Sequence, residues 1–241
     1  HTIAARRGAP DLLLIADLPF GSYLTPEAAL ASSLALIKQG GADAVKLEGG
    51  RRVAPMVRAL ADAGIGVVGH VGLTPQSAAV LGGFSVQART ASAAAELLAD
   101  ARAVEEAGAS AIVLEMVPSP VAAAVTEALN VPTIGIGAGP HTSGQVQVWH
   151  DVVGMYHGRN PRFSRQYADV NAAAGEALAA YVSDVSCGAF PAAEHSFGMP
   201  EAEEARLGEA LARVGRAGGA AAAPRELCHR VAAAATRAAV R

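Results

Sequence analysis

The amino-acid sequence predicts a parallel α/β fold of the (β/α)8 barrel class, lacking its first strand in this chain and carrying an Ala-rich helical extension at the C-terminus. Three observations carry that prediction. Short apolar runs alternate with helical patterns at a spacing of roughly 20–30 residues, as βαβ units do. Thr-Pro pairs and glycines mark helix starts and stops. Titratable residues fall at the C-terminal ends of the apolar runs, namely Asp17, Lys46 with Glu48, His70 and Glu115. In parallel α/β folds that is the face on which sites are built, and four strand ends delivering such groups to one rim favour a barrel over an open sheet.

The elements follow in order. His1 to Pro10 reads as the tail of a helix, with two arginines, Gly8 and Pro10 as its stop. Leu12 to Asp17 is a continuous apolar run ending in a carboxylate, the pattern of a strand buried on both faces. Thr25-Pro26-Glu27 opens a helix that stops at Gly40-Gly41. Ala42 to Gly50 is the next strand, and Arg51 to Ala63 a helix closed by Gly64. Gly66 to His70 is a strand followed by a second Thr-Pro helix start at Thr74-Pro75. Phe84 to Gln87 is a short fourth strand, and Ser92 to Ala107 a helix ending at Gly108. Ser110 to Glu115 is a strand, Ser119 to Leu129 a helix, and Pro132 to Gly139 a strand that passes into a glycine loop. Gln145 to Trp149 is the last strand, the seventh, and Ser164 to Ser183 the final barrel helix.

A closed barrel needs an eighth strand, and the chain opens on what reads as the end of a helix, so the first strand is expected to be absent. Residues 1–198 are the expected catalytic barrel, N-terminally truncated, and residues 199–241 an Ala/Arg-rich extension. Within that extension Met199 to Val214 is amphipathic, with Leu207, Leu211 and Val214 at helical spacing.

Composition excludes several classes. A net charge of -3 and a pI of about 6.2 offer no basic surface for nucleic acid or anionic lipid. Cys187 and Cys228 stand in no CxxC or zinc spacing and suggest no disulfide framework. With no long apolar run and no signal-peptide layout, the chain reads as a soluble cytoplasmic protein.

Lys46 and Glu48 are two residues apart in a strand, so they project to one face while Leu47 projects to the other. Burying a charge costs several kcal/mol unless it is paired or metal-bound, which makes this strand end a site candidate. A plain Lys–Glu ion pair is the competing reading. Asp17 and Glu48 on adjacent strand ends would make a sparse all-oxygen site with room for water and substrate, which suits Mg²⁺. Lys46 is a fixed cation for a substrate carboxylate. Glu115 comes from a strand expected on the far side of the rim, where it would face the other side of a bound substrate as a general base. His70 is either a hydrogen-bond donor to a substrate oxygen or a structural rim histidine.

At this point the residues resemble a known family. Ala16-Asp17-Leu18-Pro19-Phe20, Val45-Lys46-Leu47-Glu48-Gly49-Gly50 and Gly69-His70-Val71-Gly72-Leu73-Thr74-Pro75-Gln76 are similar to motifs of the ketopantoate hydroxymethyltransferases. So, in the same order, are Ile112-Val113-Leu114-Glu115, Ile134 to Gly139 and Glu194-His195-Ser196-Phe197. The resemblance implies a Mg²⁺-dependent (β/α)8 barrel of the phosphoenolpyruvate/pyruvate type. It implies transfer of a one-carbon unit from 5,10-methylenetetrahydrofolate, as co-substrate, to 3-methyl-2-oxobutanoate. The product would be 2-dehydropantoate, on the way to pantothenate and coenzyme A. Carried over by residue, Asp17 and Glu48 match metal ligands, Asp17 and Lys46 meet the substrate, His70 lines the same pocket and Glu115 is the proton acceptor. The partners implied are these small molecules and further copies of the chain, since the family resemblance suggests a large homo-oligomer, often a decamer.

One departure bears on activity. The family's first strand ends in a Gly-Asp-Ser element that supplies a further metal-ligand aspartate and a substrate serine, and it would precede His1. A truncated, weakly active or purely binding fragment is therefore one rival reading. Another is a different Mg²⁺/2-oxo-acid barrel of the isocitrate lyase/PEP mutase group, but the Lys-Lys-Cys-Gly-His stretch of that group is absent here.

Overall fold

The computed structural model describes residues 1–156, 158 and 160–215. The chain divides into two compact units, one spanning His1–Ala168 and a second from Asp169 onward. Six parallel strands form the sheet of the first unit: β1 (Ile15–Asp17), β2 (Ala44–Glu48), β3 (Gly66–Gly72), β4 (Ala111–Glu115), β5 (Thr133–Ile136) and β6 (Gly144–Gln145). Their spatial order is the sequence order, β1-β2-β3-β4-β5-β6. An open doubly wound sheet reverses its order at a switch point; a barrel does not. No ladder joins β6 back to β1 among the described residues.

Helices α1 (Thr2–Gly8), α2 (Pro26–Lys38), α3 (Ala54–Asp62), α4 (Ala78–Leu81), α5 (Ala91–Glu106), α6 (Ser119–Ala128) and α7 (Trp149–Val153) complete this unit. The larger helices pack in succession, α2 on α3, α3 on α5 and α5 on α6, as one layer over the strands. Thr25 caps α2 by accepting from the Ala28 amide, with Pro26 at the first helical position. Thr90 caps α5 in the same way through Ala93. Gly64 and Gly108 end their helices in left-handed backbone, at φ 77° and 108°. The core lies between the sheet and this helix layer: Val45, Leu47, Val67, Ile112 and Leu114 meet Val57, Leu60, Val104 and Val125, all buried. Each such side chain contributes about 1.5–3 kcal/mol, which is what allows β2 to carry charges on its other face.

Several sequence expectations need correction. Phe84–Gln87 is not a strand: β3 pairs directly with β4, from Val68↔Ala111 to Gly72↔Glu115, so no slot exists between them. The segment is held instead by the Gln87 amide donating to the Met116 carbonyl at 2.8 Å. The expected strand Gln145–Trp149 shrinks to Gly144–Gln145, and Trp149 opens α7. Among the described residues the sheet therefore has six strands, where seven were expected. Only Ile15–Asp17 of the first apolar run is strand, and Leu12 and Leu13 are 68% and 75% exposed. At the edge of the sheet β1 has one neighbour, so its approach is not covered on both sides.

The second unit holds α8 (Val170–Cys187) and α9 (Glu201–Gly215). The expected start at Ser164 moves to Val170 because Asp169 is the cap, accepting from the Ala172 amide at 2.9 Å. Between the helices the Phe190 ring packs edge-on against Tyr181 at 5.7 Å and against His195 at 4.9 Å. The low-complexity part of the expected extension, residues 216–241, lies outside the described residues. No helix of the described residues is long and apolar enough to cross a membrane.

Candidate active site on the strand rim

Strand register assembles the site. Asp17 stands opposite Lys46, Glu48 opposite His70, and Glu115 opposite Gly72. Since side chains alternate along a strand, all five titratable groups project from the same face of the sheet, opposite to Leu47 and Leu114.

The side chains stand in close succession along the rim. The Lys46 ammonium lies 3.1 Å from Asp17 Oδ2 and donates to His70 Nδ1 at 3.2 Å. An imidazole nitrogen that accepts from an ammonium carries no proton, so the ring hydrogen sits on Nε2. His70 Nε2 in turn lies 3.1 Å from Glu115 Oε2. That approach is close but poorly aligned, and Nε2 makes no well-directed hydrogen bond. His70 is 2% exposed and thus a bridge buried between Lys46 and Glu115. Glu48 is 4% exposed. Its Oε2 accepts from the Gln76 backbone amide at 2.9 Å, while His70 Nδ1 stands off from Oε1 at 3.9 Å, beyond hydrogen-bonding range. The Asp17 side chain is more than half exposed and faces solvent.

Glu48 is nearly buried, and no hydrogen-bond donor meets its Oε1 among the described residues. Glu48 Oε1 and the open Asp17 carboxylate, on adjacent strand ends, are hard oxygen donors. No group of three or more His, Cys, Asp or Glu gathers for a metal among the described residues. Water and substrate oxygens would supply the other positions, which Mg²⁺ accepts readily. Oxygen donors of this kind are the type that Mg²⁺ takes.

Two further residues belong to the rim. Gln76, besides its amide on Glu48, donates its Nε2 to the Leu18 carbonyl at 2.9 Å and accepts from the Tyr23 hydroxyl at 2.7 Å. It thus ties the loop after β1 to the end of β2. Burial pushes the Tyr23 phenol above its ordinary range, with the Glu48 and Asp17 charges acting in the same direction. The signal for Gln76 was the Thr-Pro start directly after the His70 strand, which aims a free backbone amide at the rim; Tyr23 left no pattern of its own.

Comparison with known proteins gives a consistent result. A family model described as ketopantoate hydroxymethyltransferase matches residues 1–193. The 3-methyl-2-oxobutanoate hydroxymethyltransferase of Thermus thermophilus is 55% identical over 197 residues, 82% of this chain and 76% of that protein. The enzyme of the same name from Heliobacterium modesticaldum is 53% identical over 202 residues, 83% of this chain and 73% of that one. Among solved structures, a 2,3-dimethylmalate lyase of the PEP mutase/isocitrate lyase superfamily aligns with a TM-score of 0.41 and 17% identity, covering 90% of this chain and 76% of that one.

Proposed function

We infer the reaction from one premise: the chain belongs to the ketopantoate hydroxymethyltransferase family. It is a hydroxymethyltransferase that moves the one-carbon unit of 5,10-methylenetetrahydrofolate onto C3 of 3-methyl-2-oxobutanoate, in pantothenate biosynthesis. The overall balance takes up one water, whose oxygen becomes the new hydroxyl, and releases tetrahydrofolate.

The observation that supports this most is the convergence of Asp17, Lys46, His70 and Glu115, beside Glu48, on four neighbouring strand ends. Lys46, held between Asp17 and His70, presents an ammonium to the substrate carboxylate. Glu115 accepts the C3 proton. His70 Nε2 stands 3.1 Å from Glu115 without a well-directed hydrogen bond, so it is placed to donate to a substrate oxygen beside the base. Asp17 and Glu48 would hold Mg²⁺, with Gln76 fixing one oxygen of Glu48 in place. The metal, when bound, supplies Lewis-acid stabilisation of the negative charge that develops on the 2-oxo oxygen. Placing charge where the transition state needs it is commonly the largest catalytic contribution. Water adds to the folate-borne methylene and its two C–N bonds break, which releases tetrahydrofolate and leaves the one-carbon unit at the aldehyde level. The deprotonated C3 attacks that carbon, its C=O bond opens as the C–C bond forms, and the resulting alkoxide takes a proton to become the hydroxyl.

The finer fold reading goes with this. The six strands are part of a (β/α)8 barrel of the phosphoenolpyruvate/pyruvate type, a reading supported by their sequential parallel order and single helix layer. Residues 1–198 form the catalytic domain and the remainder an extension. A cytoplasmic homo-oligomer, as large as a decamer, completes the reading; light-scattering mass of the purified chain tests the assembly.

The deciding experiment is exchange of the C3 proton of 3-methyl-2-oxobutanoate in D₂O with Mg²⁺, with and without the folate. Metal-dependent exchange that persists without folate is expected. No exchange under either condition would remove the proton-abstraction step and the base with it.

A further inference from the structure

Two adjacent arginines follow the glycine pair at the end of β2, and they are used differently. Arg51 is consumed within the protein: its backbone amide and Nε both donate to Asp100 Oδ1, at 3.0 and 2.8 Å, and its guanidinium also pairs with Glu96. Hydrogen bonds to Asp100 first and Glu96 second raise the Arg51 pKa above its already high value. Arg52 is exposed and makes no hydrogen bond or ion pair among the described residues. Its guanidinium lies at the rim, where a Cβ built on Gly49 would come within 3.5 Å of Nη2. Its charge also reaches Tyr23, where it opposes the upward push of burial.

Arg52 borders a cavity of about 490 Å³ that begins at Gly49, next to Glu48, and runs between the loop after β3 and the first half of α5. That volume is within the usual range for a small-molecule site. Leu81, Val71 and Leu97 give it an apolar wall. Thr74 and Ser77 also line it, and their hydroxyls make no hydrogen bond among the described residues. An apolar wall, two unused hydroxyls and one unused guanidinium suit an aryl amide that ends in carboxylates. The cavity starts beside the catalytic carboxylates yet lies on the helix side of β2 and β3, so it suits a remote portion of a ligand whose reactive end sits on the rim.

We propose that this cavity takes the p-aminobenzoyl-glutamate tail of the folate co-substrate, with Arg52 pairing its carboxylate. The assignment rests on the folate-dependent reaction proposed above. An Arg–carboxylate pair is charge-assisted and bidentate, and losing it corresponds to a roughly ten- to hundred-fold loss of affinity.

The test uses the full chain. Metal-free protein is titrated with p-aminobenzoyl-L-glutamate and with neutral p-aminobenzamide, followed by NMR shifts or calorimetry. Arg52→Gln should weaken the first by about ten- to hundred-fold and leave the second unchanged. In turnover, the same variant should raise KM for methylenetetrahydrofolate by a similar factor. KM for 3-methyl-2-oxobutanoate and the folate-free C3 proton exchange should stay at wild-type values. Equal binding of the glutamate probe by wild type and variant overturns the proposal, as does a KM shift that falls on the oxo acid instead. Absence of exchange in the wild type overturns the reaction reading separately, and the probe titration still decides whether Arg52 holds the tail.

Discussion

Lys46 sits between one exposed carboxylate and one buried imidazole, and that position separates the duties of the carboxylates around it. Glu48 is nearly buried and has an oxygen without a close donor, so its charge matters most for a cation. Glu115 touches only His70 among the rim groups, so its charge matters most for a proton. Glu48→Gln should therefore weaken Mg²⁺ binding and turnover together, because it removes a charge from a hard-cation site. Glu115→Gln should leave metal and oxo-acid affinity nearly unchanged and slow C3 exchange by about 10²–10⁴, the usual range for a general base. Calorimetric binding and exchange rates on both variants check this, and equal loss of binding in the two would reverse the roles. A second residue-scale expectation concerns Asp43. Its carboxylate accepts from the Leu14 amide at 2.8 Å and pairs with Arg6, whose Nε also holds the Gly41 carbonyl at 2.8 Å. The Leu14 hydrogen bond first, and Arg6 second, hold the Asp43 pKa below its ordinary value of 3.8. A depressed carboxylate stabilises the fold above its unfolded-state pKa and loses that contribution as pH falls through the folded value. Hydrogen-exchange protection of the Leu14 amide should thus persist at neutral pH, fall away in acid below the ordinary Asp value, and be absent at all pH values in Asp43→Ala, which removes the acceptor. Wild-type protection in that variant would show that the carboxylate is not what holds Leu14.

At the scale of elements, β3 and α5 approach closely because Gly69 has no side chain: a Cβ there would lie 2.3 Å from Val104 Cγ1. Gly69→Ala should cost about 1–3 kcal/mol by overpacking and lower Tm by several degrees. Gly8→Ala, at the end of α1 with nothing within 4 Å of the added carbon, is the control and should change little. Thermal unfolding of both variants measures the difference, and similar Tm values would mean that the β3–α5 contact relaxes freely. The same contrast explains what the sequence could convey. β2, β3 and β4 were legible because each is an apolar run between a glycine stop and a helix start, with its charged residues collected at one end. Phe84–Gln87 carries a strand-like alternation, but a strand requires neighbours, and the β3–β4 ladder leaves none free; tertiary pairing overrides local propensity. Gln145–Trp149 fails for a related reason, since β5 offers pairing only at Ile134 and Gly135. The rim carboxylates, Lys46 and His70 were legible because titratable side chains at strand ends are costly without a purpose. Gln76 acts on Glu48 through a backbone amide, which every residue but proline has. Arg52 differs from Arg51 only in what surrounds it after folding.

For the molecule as a whole, the five rim residues come from four adjacent strands of the first unit, so a ligand seated on the rim binds only when β1 to β4 are assembled together. A ligand that binds the native state alone stabilises it by mass action, by about 2.7 kcal/mol at a hundred times its dissociation constant. In a folding unit of this size that corresponds to a rise in Tm of roughly 5–10 °C. Mg²⁺ with 3-methyl-2-oxobutanoate, both at saturating levels, should therefore raise the unfolding temperature of the wild-type chain, and chelation of the metal should return it to the starting value. Amide protection should increase most along β2 and β4, which contribute Lys46, Glu48 and Glu115. Glu48→Gln should lose most of the metal-dependent rise. Glu115→Gln should keep it, because removing the base leaves the carboxylates and the ammonium in place. A wild-type Tm that does not respond to metal and oxo acid together would mean that the convergent rim is a structural ion-pair network and not a binding site, even if the fold and the family membership stand.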